Sequence, residues 1–311
     1  MIASNTEKRG LPLAKERDVI GQYRIARIIH NGNSSQVWEA IKQPEGTRIA
    51  LKTLKPKYAE DKTEIGFMKN EAEAGKSLQH PNIVKVLEFG TDKNTPFVAM
   101  ELFSEITLKK AIRKGPESIA YMLPKIIQKA CEGLYAMHSQ GYLHCDVKPE
   151  NFLVNRDGDV KVIDFSLAQK IKTGLAKLFG GKPKAVAGTM SYMSPEQIKA
   201  GALDPRSDVY SFGCVLFELV SGKPPYTGTS PTDLLNKHIS APIPSPVVGN
   251  DNVTQEFANV LKVMMAKKPD DRYENIWEAF KVLKVTKIFK RPPRIPEASI
   301  FDAPIGTGEQ E

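Results

Sequence analysis

The sequence is poor in cysteine and contains no hydrophobic run long enough to span a membrane. Its three cysteines, Cys131, Cys145 and Cys214, have unrelated spacings that fit neither a disulfide framework nor a zinc site. A membrane span needs about 20 consecutive apolar residues, whereas the most apolar stretch, 212–220, is shorter and contains Glu218. The first residues also lack the apolar segment of a secretory signal. We therefore expect a protein of the reducing cytoplasm with no membrane span.

The chain is basic overall but concentrates charge of one sign in only one stretch of its sequence. Its 44 Lys and Arg outnumber its 36 Asp and Glu, which gives a net charge of +8. Most of these charges are scattered, which argues against a nucleic-acid-binding protein, since such a protein needs a continuous basic surface. The dense basic cluster, with five lysines within 170–184, is interrupted by glycines and is typical of a surface loop. We expect no nucleic-acid partner.

The composition is that of a globular protein. Contents of 41% hydrophobic and 26% charged residues exclude a largely disordered or fibrous chain, and the length corresponds to roughly two domains or lobes.

Residues 23–54 hold three short runs rich in β-branched residues with turn residues between them, which predicts an antiparallel meander. A helical periodicity over 65–78 and two more strand-like runs, over 82–90 and 95–103, complete a small sheet with one helix.

Beyond residue 103 the pattern becomes mostly helical. Pro124 is suited to the first turn of a long amphipathic helix, the Asp157–Gly158 pair predicts a β-hairpin turn, and the apolar run over 209–220 predicts a buried helix. Further helical patterns cover 234–238, 257–265 and 276–283. The expected organisation is a flexible segment 1–20, a folded domain 21–286 divided into lobes 21–102 and 103–286, and a Pro- and Gly-rich disordered tail 287–311.

Four groups of residues, in a fixed order, carry the chemistry. Lys52 ends the apolar run Ile-Ala-Leu-Lys of a predicted strand, and Glu71 lies on the following predicted helix. The run 144–151 reads His-Cys-Asp-Val-Lys-Pro-Glu-Asn and precedes the predicted hairpin, after which 164–166 reads Asp-Phe-Ser. A strand lysine alone is an ordinary edge residue. All four groups in this order are hard to obtain by chance.

At these residues the chain resembles the eukaryotic-like (Hanks-type) serine/threonine protein kinases, whose signature pairs a strand lysine with a helix glutamate ahead of a catalytic loop and a metal-binding Asp-Phe-Gly. The resemblance covers roughly residues 22–285. It extends to Gly188-Thr189, Ser194-Pro195-Glu196, Asp208 and Arg272, the last of which pairs with the glutamate of Ala-Pro-Glu in that family. The resemblance implies an α+β, bilobal fold, with a small β-sheet N-lobe that has one main helix and a larger, mostly helical C-lobe.

The resemblance also implies the reaction, transfer of the γ-phosphate of ATP to serine or threonine hydroxyls. Asp146 would accept the proton of the substrate hydroxyl, and Lys148 would lie near the γ-phosphate. Lys52 would bind the α- and β-phosphates and would be held in place by Glu71. Because phosphoryl transfer depends mainly on positioning and charge neutralisation, these four catalytic residues fit its needs.

The cofactors implied are ATP and Mg²⁺, with Mn²⁺ as an alternative, and the metal ligands would be Asn151 and Asp164. The residues expected to bind the nucleotide are Ile29, Gly32, Val37, Ala50, Lys52, Met100, Glu101, Phe103 and Leu153. Among these, Met100 would be the gatekeeper, and the backbone of Glu101 and Phe103 would hydrogen-bond the adenine edge. Val, Ala and Leu from this set would sandwich the ring, although ordinary core packing also explains such residues.

The partners implied are proteins that present serine or threonine, including the chain itself through autophosphorylation. The lysine-rich stretch 170–184 would belong to the activation loop and indicates acidic sequence around the target residue. Thr189 is expected to brace the catalytic Asp146 and Lys148.

The sequence departs from the family pattern at three places, and the departures at the glycine-rich loop and at Ser166 favour an alternative, a pseudokinase scaffold that binds nucleotide weakly and acts through protein contacts. The glycine-rich loop, 30–35, keeps only Gly32. Cys145 replaces the arginine that precedes the catalytic aspartate, so there is no cation there to pair with an activation-loop phosphate. Ser166 replaces the glycine of Asp-Phe-Gly, which restricts the backbone flip that glycine allows. None of these changes removes a charged catalytic group, and this favours an active kinase.

Overall fold

The computed structural model describes residues 19–103, 106–171, 188–297 and 299–302. Its first part is a six-stranded antiparallel sheet in the order β1-β2-β3-β4-β6-β5. The six strands are β1 (Val19–Ile20), β2 (Tyr23–Asn31), β3 (Ser35–Lys42), β4 (Thr47–Leu54), β5 (Val86–Asp92) and β6 (Thr95–Glu101). Strands β2 to β4 are joined by the two predicted turns, so the meander predicted from the β-branched runs is confirmed.

One helix, α1 (Lys62–Ser77), lies against this sheet. Asp61 caps its N-terminus, since its side chain accepts hydrogen bonds from the backbone amides of Thr63 and Glu64, and this fixes where the helix begins. The helix packs on β5 so closely that a Cβ built on Gly75 would lie 2.3 Å from a methyl carbon of Val86. Glycine is needed at this position because the helix and the strand approach each other directly.

The second part is mostly helical and holds the other elements. Its helices are α2 (Leu108–Lys114), α3 (Leu123–Ser139), α4 (Pro195–Ile198), α5 (Pro205–Ser221), α6 (Pro231–Ser240), α7 (Gln255–Met264) and α8 (Ile276–Val285). Its short strands are β7 (Ile106–Thr107), β8 (Tyr142–Leu143), β9 (Phe152–Val154), β10 (Val160–Val162) and β11 (Gln169–Lys170). The bilobal α+β fold is confirmed, and within the described ranges no helix is both long and apolar enough to cross a membrane.

The central element of the C-lobe is α5, which is buried continuously from Ser207 to Val220. This explains its almost unbroken apolar sequence, because a helix surrounded by protein has no solvent-facing stripe. Strands β9 and β10 form the predicted hairpin, with Val160 opposite Val154. The strand predicted over 82–90 begins only at Val86. The residues before it instead hydrogen-bond to β10 through Asn82, and this contact joins the two lobes.

The folded part extends past the predicted limits at both ends. The prediction of a flexible segment 1–20 is wrong for its last two residues, which pair with β2 as β1. The prediction of a disordered tail from 287 is wrong for its first residues, because Ile288 and Phe289 are each only 8% exposed. Backbone hydrogen bonds tie Ile288 to Thr254 and Lys290 to Asn252. Residues 1–18 and 303–311 lie outside the described residues, where both predictions stay predictions.

Substitution of Gly75 tests the close approach of α1 to the sheet. We expect Gly75→Ala to lower the free energy of unfolding by about 1–3 kcal/mol, because the added methyl group overpacks Val86. The matched control is Gly66→Ala on the same helix, where a Cβ meets nothing within 4 Å. There alanine should stabilise by up to about 1 kcal/mol through helix propensity. Urea unfolding of both variants measures the difference, and equal effects would contradict the proposed contact.

Candidate active site

Three charged side chains meet between the two lobes. Lys52 extends from β4, and its Nζ lies 2.7 Å from Oε2 of Glu71 on α1 and 3.5 Å from Oδ1 of Asp164, which follows β10. The side chains of Lys52 and Glu71 are 14% and 3% exposed, whereas that of Asp164 is 30% exposed. The sheet, its helix and the C-lobe therefore each contribute one group, and the most accessible carboxylate faces the cleft.

The charges in this group depend on one another. Burial alone would lower the pKa of Lys52, but the carboxylates of Asp164 and Glu71 outweigh it and raise that pKa above its usual value. Burial would raise the pKa of Asp164, yet the Lys52 ammonium and hydrogen bonds from Ser166 hold it well below its ordinary range. Burial raises the pKa of Glu71 to about 7, against the lowering effect of Lys52. At neutral pH the group therefore holds a lysine cation beside an ionised aspartate.

The sheet register places the predicted nucleotide residues of the N-lobe on one face. Val37 pairs with Lys52, and Ala50 pairs with Met100, and directly paired residues of an antiparallel sheet point to the same side. Ala50 and Met100 are 7% and 8% exposed. Leu153 lies on β9 of the C-lobe, half-buried between two fully buried residues, so it faces away from that lobe's core.

At the edge of this face, the backbone between the lobes has a defined hydrogen-bonding pattern. The amide of Glu101 donates to the backbone oxygen of Lys85, and its carboxylate accepts hydrogen bonds from the Lys85 amide and the Lys161 ammonium. The predicted contact of the Glu101 backbone with adenine stays a prediction. Phe103 follows two residues later and is half-buried.

The degenerate glycine-rich loop closes into a tight turn. The register between β2 and β3 shifts at Ile29, which has no directly paired residue on β3. The Gly32 amide donates a hydrogen bond to the Ser35 carbonyl oxygen at 3.0 Å. Ser34 and Ser35 line a cavity of about 140 Å³ that reaches Lys52 and Asp164. The loop therefore lies beside the charged group, and Ser35 stands where the family pattern has its last glycine.

Asp146 is the most extensively supported carboxylate of the site. Its Oδ1 accepts hydrogen bonds from the Thr189 amide at 2.9 Å and the Thr189 hydroxyl at 3.1 Å. Its Oδ2 lies 2.7 Å from Nζ of Lys148, and Lys148 also donates to the Thr189 hydroxyl at 2.9 Å. These contacts fix the Asp146 rotamer and place its carboxylate directly beside a lysine. The prediction that Thr189 braces both residues is confirmed.

The backbone just before Asp146 in sequence is held in place by a side chain of α5. Asp208 is 1% exposed, and its carboxylate accepts hydrogen bonds from the amides of His144 at 2.8 Å and Cys145 at 3.0 Å. His138 donates to the same carboxylate. Cys145 has a positive φ of 63°, a conformation that costs energy for a residue other than glycine. The buried Asp208 offsets this strain and so fixes the turn that presents Asp146.

Of the two predicted metal ligands, Asn151 contacts Asp146 and Asp164 lies beside Lys52. Asn151 donates from its amide nitrogen to the backbone oxygen of Asp146 at 2.8 Å, which directs its amide oxygen elsewhere. The Asp164 carboxylate is ionised and partly exposed to the cleft. Mg²⁺ is typically held by one or two carboxylates together with substrate phosphates and water, so one carboxylate and one amide oxygen fit this ion. The described residues contain no group of three or more His, Cys, Asp or Glu side chains that could hold a metal ion.

The substituted positions of the motifs have clear structural roles. Cys145 is 4% exposed, and burial raises the pKa of its thiol well above the usual value, so it offers no charge at this position. The Ser166 amide donates to Oδ1 of Asp164 at 3.3 Å, while Phe165 is fully buried against α1. In this arrangement the Asp164 carboxylate faces Lys52.

Two residues that support the site, Asn70 and Gln197, belong to none of the sequence motifs. Asn70, next to Glu71 on α1, donates to the backbone oxygens of Phe165, Ser166 and Ala168. Its amide therefore ties the segment after Asp164 to the helix of the N-lobe. An asparagine one position before a functional glutamate is an ordinary surface residue by pattern, so only the folded backbone identifies it.

Gln197 is the second such residue. Its side chain donates to the backbone oxygen of Cys145 at 2.8 Å and completes the capping box of α4 with Ser194. Nearby, Arg272 forms a two-pronged ion pair with Glu196 at 2.7 and 2.8 Å, as the family resemblance implies.

The lysine-rich stretch lies almost wholly within 172–187, outside the described residues, so the expected acidic target sequence stays a prediction.

Comparison with known proteins agrees with this geometry. The protein kinase domain family matches residues 23–284. The serine/threonine-protein kinase PrkC of Bacillus subtilis is 34% identical over 82% of this chain and 39% of its own length. The serine/threonine-protein kinase PknL of Mycobacterium tuberculosis is 34% identical over 81% of this chain and 62% of its own.

A further relative, the serine/threonine-protein kinase PknB of Mycolicibacterium smegmatis, is 34% identical over 83% of this chain and 41% of its own length. The chain thus spans about two fifths to three fifths of the length of these relatives. The matched region contains every element that positions Lys52, Asp146 and Asp164. The chain belongs to the protein kinase family.

Proposed function

We propose that this chain is a serine/threonine protein kinase that transfers the γ-phosphate of Mg-ATP to protein hydroxyls. The observation that carries the proposal is the supported carboxylate of Asp146, held by Thr189 and Lys148 at the mouth of the cleft. The names of the three relatives, all serine/threonine-protein kinases, support the same acceptor class.

In the proposed reaction Asp146 accepts the proton of the acceptor hydroxyl while it orients that oxygen toward the γ-phosphorus. Its carboxylate is pre-positioned by four donors, from Thr189, Lys148 and Asn151, so it need not reorganise when the hydroxyl arrives. Lys148, 2.7 Å from Asp146, is placed to neutralise charge that develops on the transferred phosphoryl group. A positioned base of this kind contributes roughly 10²–10⁴-fold to the rate.

Lys52 binds the α- and β-phosphates in this proposal, and Glu71 fixes the direction of its ammonium. Asn151 and Asp164 would hold Mg²⁺, or Mn²⁺ in its place, which neutralises phosphate charge when bound. The adenine would lie on the face of Val37, Ala50 and the other residues of the nucleotide set, against the backbone of Glu101 and Phe103. Ser34 and Ser35 would add hydroxyl donors where the loop lacks glycine.

The partners we propose are proteins, including other copies of this chain as autophosphorylation substrates, rather than nucleic acid. Because the buried Cys145 thiol is uncharged, phosphorylation of the activation loop would not act through a cation at this position. The three cysteines are free and buried, which suits a reducing compartment such as the cytoplasm. A pseudokinase would not require the complete set of contacts around Asp146 together with an ionised Asp164.

Phosphoryl transfer tests the proposal directly. Wild type and Asp146→Asn are incubated with γ-³²P-labelled ATP and either Mg²⁺ or Mn²⁺, alone and with a generic basic protein. We expect label on serine and threonine in the wild type, and a rate at least about 10²-fold lower in Asp146→Asn, because asparagine cannot accept the proton.

The control for this experiment is nucleotide binding, followed as the increase in melting temperature that Mg-ATP produces. Asp146→Asn should keep this increase, since Asp146 does not contact the nucleotide base or the Lys52 group. Absence of label in both proteins with nucleotide binding retained would refute the kinase proposal and favour the scaffold.

Thr189 is tested as a positioning residue for Asp146. Thr189→Ala removes the hydroxyl that bonds both Asp146 and Lys148, so we expect kcat to fall by roughly 10²-fold through misplacement of the base. The KM for ATP should stay unchanged, and Thr189→Ser should restore most of kcat. If Thr189→Ser were as slow as Thr189→Ala, the hydroxyl would not be the feature that matters.

The pH dependence of kcat should reflect Glu71, whose pKa is raised to about 7 by burial. As the pH falls through this value the carboxylate gains a proton, Lys52 loses its partner, and the rate should decrease. Glu71→Gln should be slower at neutral pH and should lack this decrease, whereas Glu73→Gln on the exposed side of α1 should keep the wild-type profile. If the rate of Glu71→Gln decreased at low pH as the wild-type rate does, a group other than Glu71 would be responsible for the pH dependence.

A further inference from the structure

A second cavity lies far from the cleft, on the C-lobe. It has a volume of about 490 Å³, is partly open to solvent and is bordered by the start of α3, the end of α8 and the segment 286–293. This volume is within the range of small-molecule sites, about 300–1,000 Å³. The cavity exists only because the chain after α8 folds back, since Ile288, Phe289, Pro292 and Pro293 form one of its walls.

The inner surface of this cavity is apolar. Ile127 of α3 and Phe280 and Leu283 of α8 line it and are buried from solvent, and Tyr121 and Pro124 continue this lining toward α3. An apolar recess of this kind gains little from water, because a bound water needs two to four polar partners. Its natural occupant is a hydrocarbon group.

The rim of the cavity is cationic. Lys125, Lys284 and Lys287 all line it, but Lys125 is already bonded to Asp159 and to the backbone oxygen of Asp157. Among the residues described, Lys284 and Lys287 have no carboxylate within ion-pair distance, and both side chains are exposed. The surrounding stretch 281–294 contains six Lys or Arg and no Asp or Glu. The rim is therefore complementary to an anion.

We propose that this cavity binds a single-chain anionic amphiphile, with its acyl chain among the apolar side chains and its headgroup paired with Lys284 and Lys287. The headgroup chemistry is a carboxylate or a phosphate, as in a free fatty acid or a lysophospholipid. A flat basic patch would suffice for a bilayer surface or a polyanion, but neither would fill the apolar recess. The site is separate from the catalytic cleft and does not depend on the proposed kinase activity.

Calorimetric titration of the full chain below micelle-forming concentrations tests this site. The probes are dodecanoate, dodecyl phosphate, the neutral dodecanol and the shorter decanoate. We expect one site for dodecanoate or dodecyl phosphate, with the tighter of the two identifying the headgroup source. Dodecanol should bind at least about tenfold more weakly than dodecanoate. Decanoate should bind about fifteenfold more weakly than dodecanoate, since it lacks two methylenes and each buried methylene is worth about fourfold in affinity.

Two pairs of variants assign the binding to this cavity. Lys284→Glu with Lys287→Glu should weaken binding of the anionic probes at least tenfold. The matched control, Lys199→Glu with Lys262→Glu, makes the same change in net charge at exposed positions elsewhere on the C-lobe and should bind as the wild type does. Thr286→Phe, which adds volume at the lining, should weaken dodecanol and dodecanoate alike while leaving the rim lysines in place.

Three outcomes would overturn the proposal. The first is equal affinity of wild type and the Lys284/Lys287 double variant for every probe. The second is equal binding of dodecanol and the anionic probes, which would leave the lysines without a role. The third is adsorption to vesicles of anionic phospholipid that the double variant loses, with no binding of the monomeric probes, which would assign these lysines to a membrane surface.

Discussion

The catalytic geometry depends on one buried carboxylate. Asp208 lies inside the C-lobe on α5 and accepts hydrogen bonds from two consecutive backbone amides, those of His144 and Cys145. Burial would raise its pKa, but hydrogen bonds from His138 and the backbone lower it, so a negative charge persists in the core. Because a buried charge without donors is costly, the loop can satisfy Asp208 only in this strained conformation. The position of Asp146 follows directly from that constraint.

The cleft is then completed by contacts that cross between the lobes. Lys52 pairs with Glu71 in the N-lobe and reaches Asp164 of the C-lobe, while Asn70 binds the backbone that follows Asp164. These are short polar contacts between elements from distant parts of the sequence. Movement of α1 away from the sheet would therefore separate Lys52 from its partner and release the segment after Asp164 together. The site is assembled only when helix, sheet and C-lobe are all in place.

Many of the strands and helices were predictable from local sequence patterns. The β-branched runs gave the meander, the Asp157–Gly158 pair gave the β9–β10 hairpin, and the apolar run of α5 gave a buried helix, because each signal depends on neighbours in sequence. The ends of the folded domain were not predictable in this way. The segment after α8 is rich in proline and charge, which is typical of disorder, yet Ile288 and Phe289 are buried by contacts with the start of α7, whose presence no local pattern reveals.

The sequence by itself determined the chemical groups of the site: a strand lysine, a helix glutamate, two aspartates and an asparagine in a fixed order and spacing. It also determined the departures, at Cys145, Ser166 and the loop around Gly32. Only the tertiary structure decided which residues outside the motifs support these groups, through Asn70 and Gln197, and where a second cavity lies. The reason is physical: hydrogen bonds and enclosed volumes arise between residues distant in sequence, so they depend on packing rather than on the order of the chain.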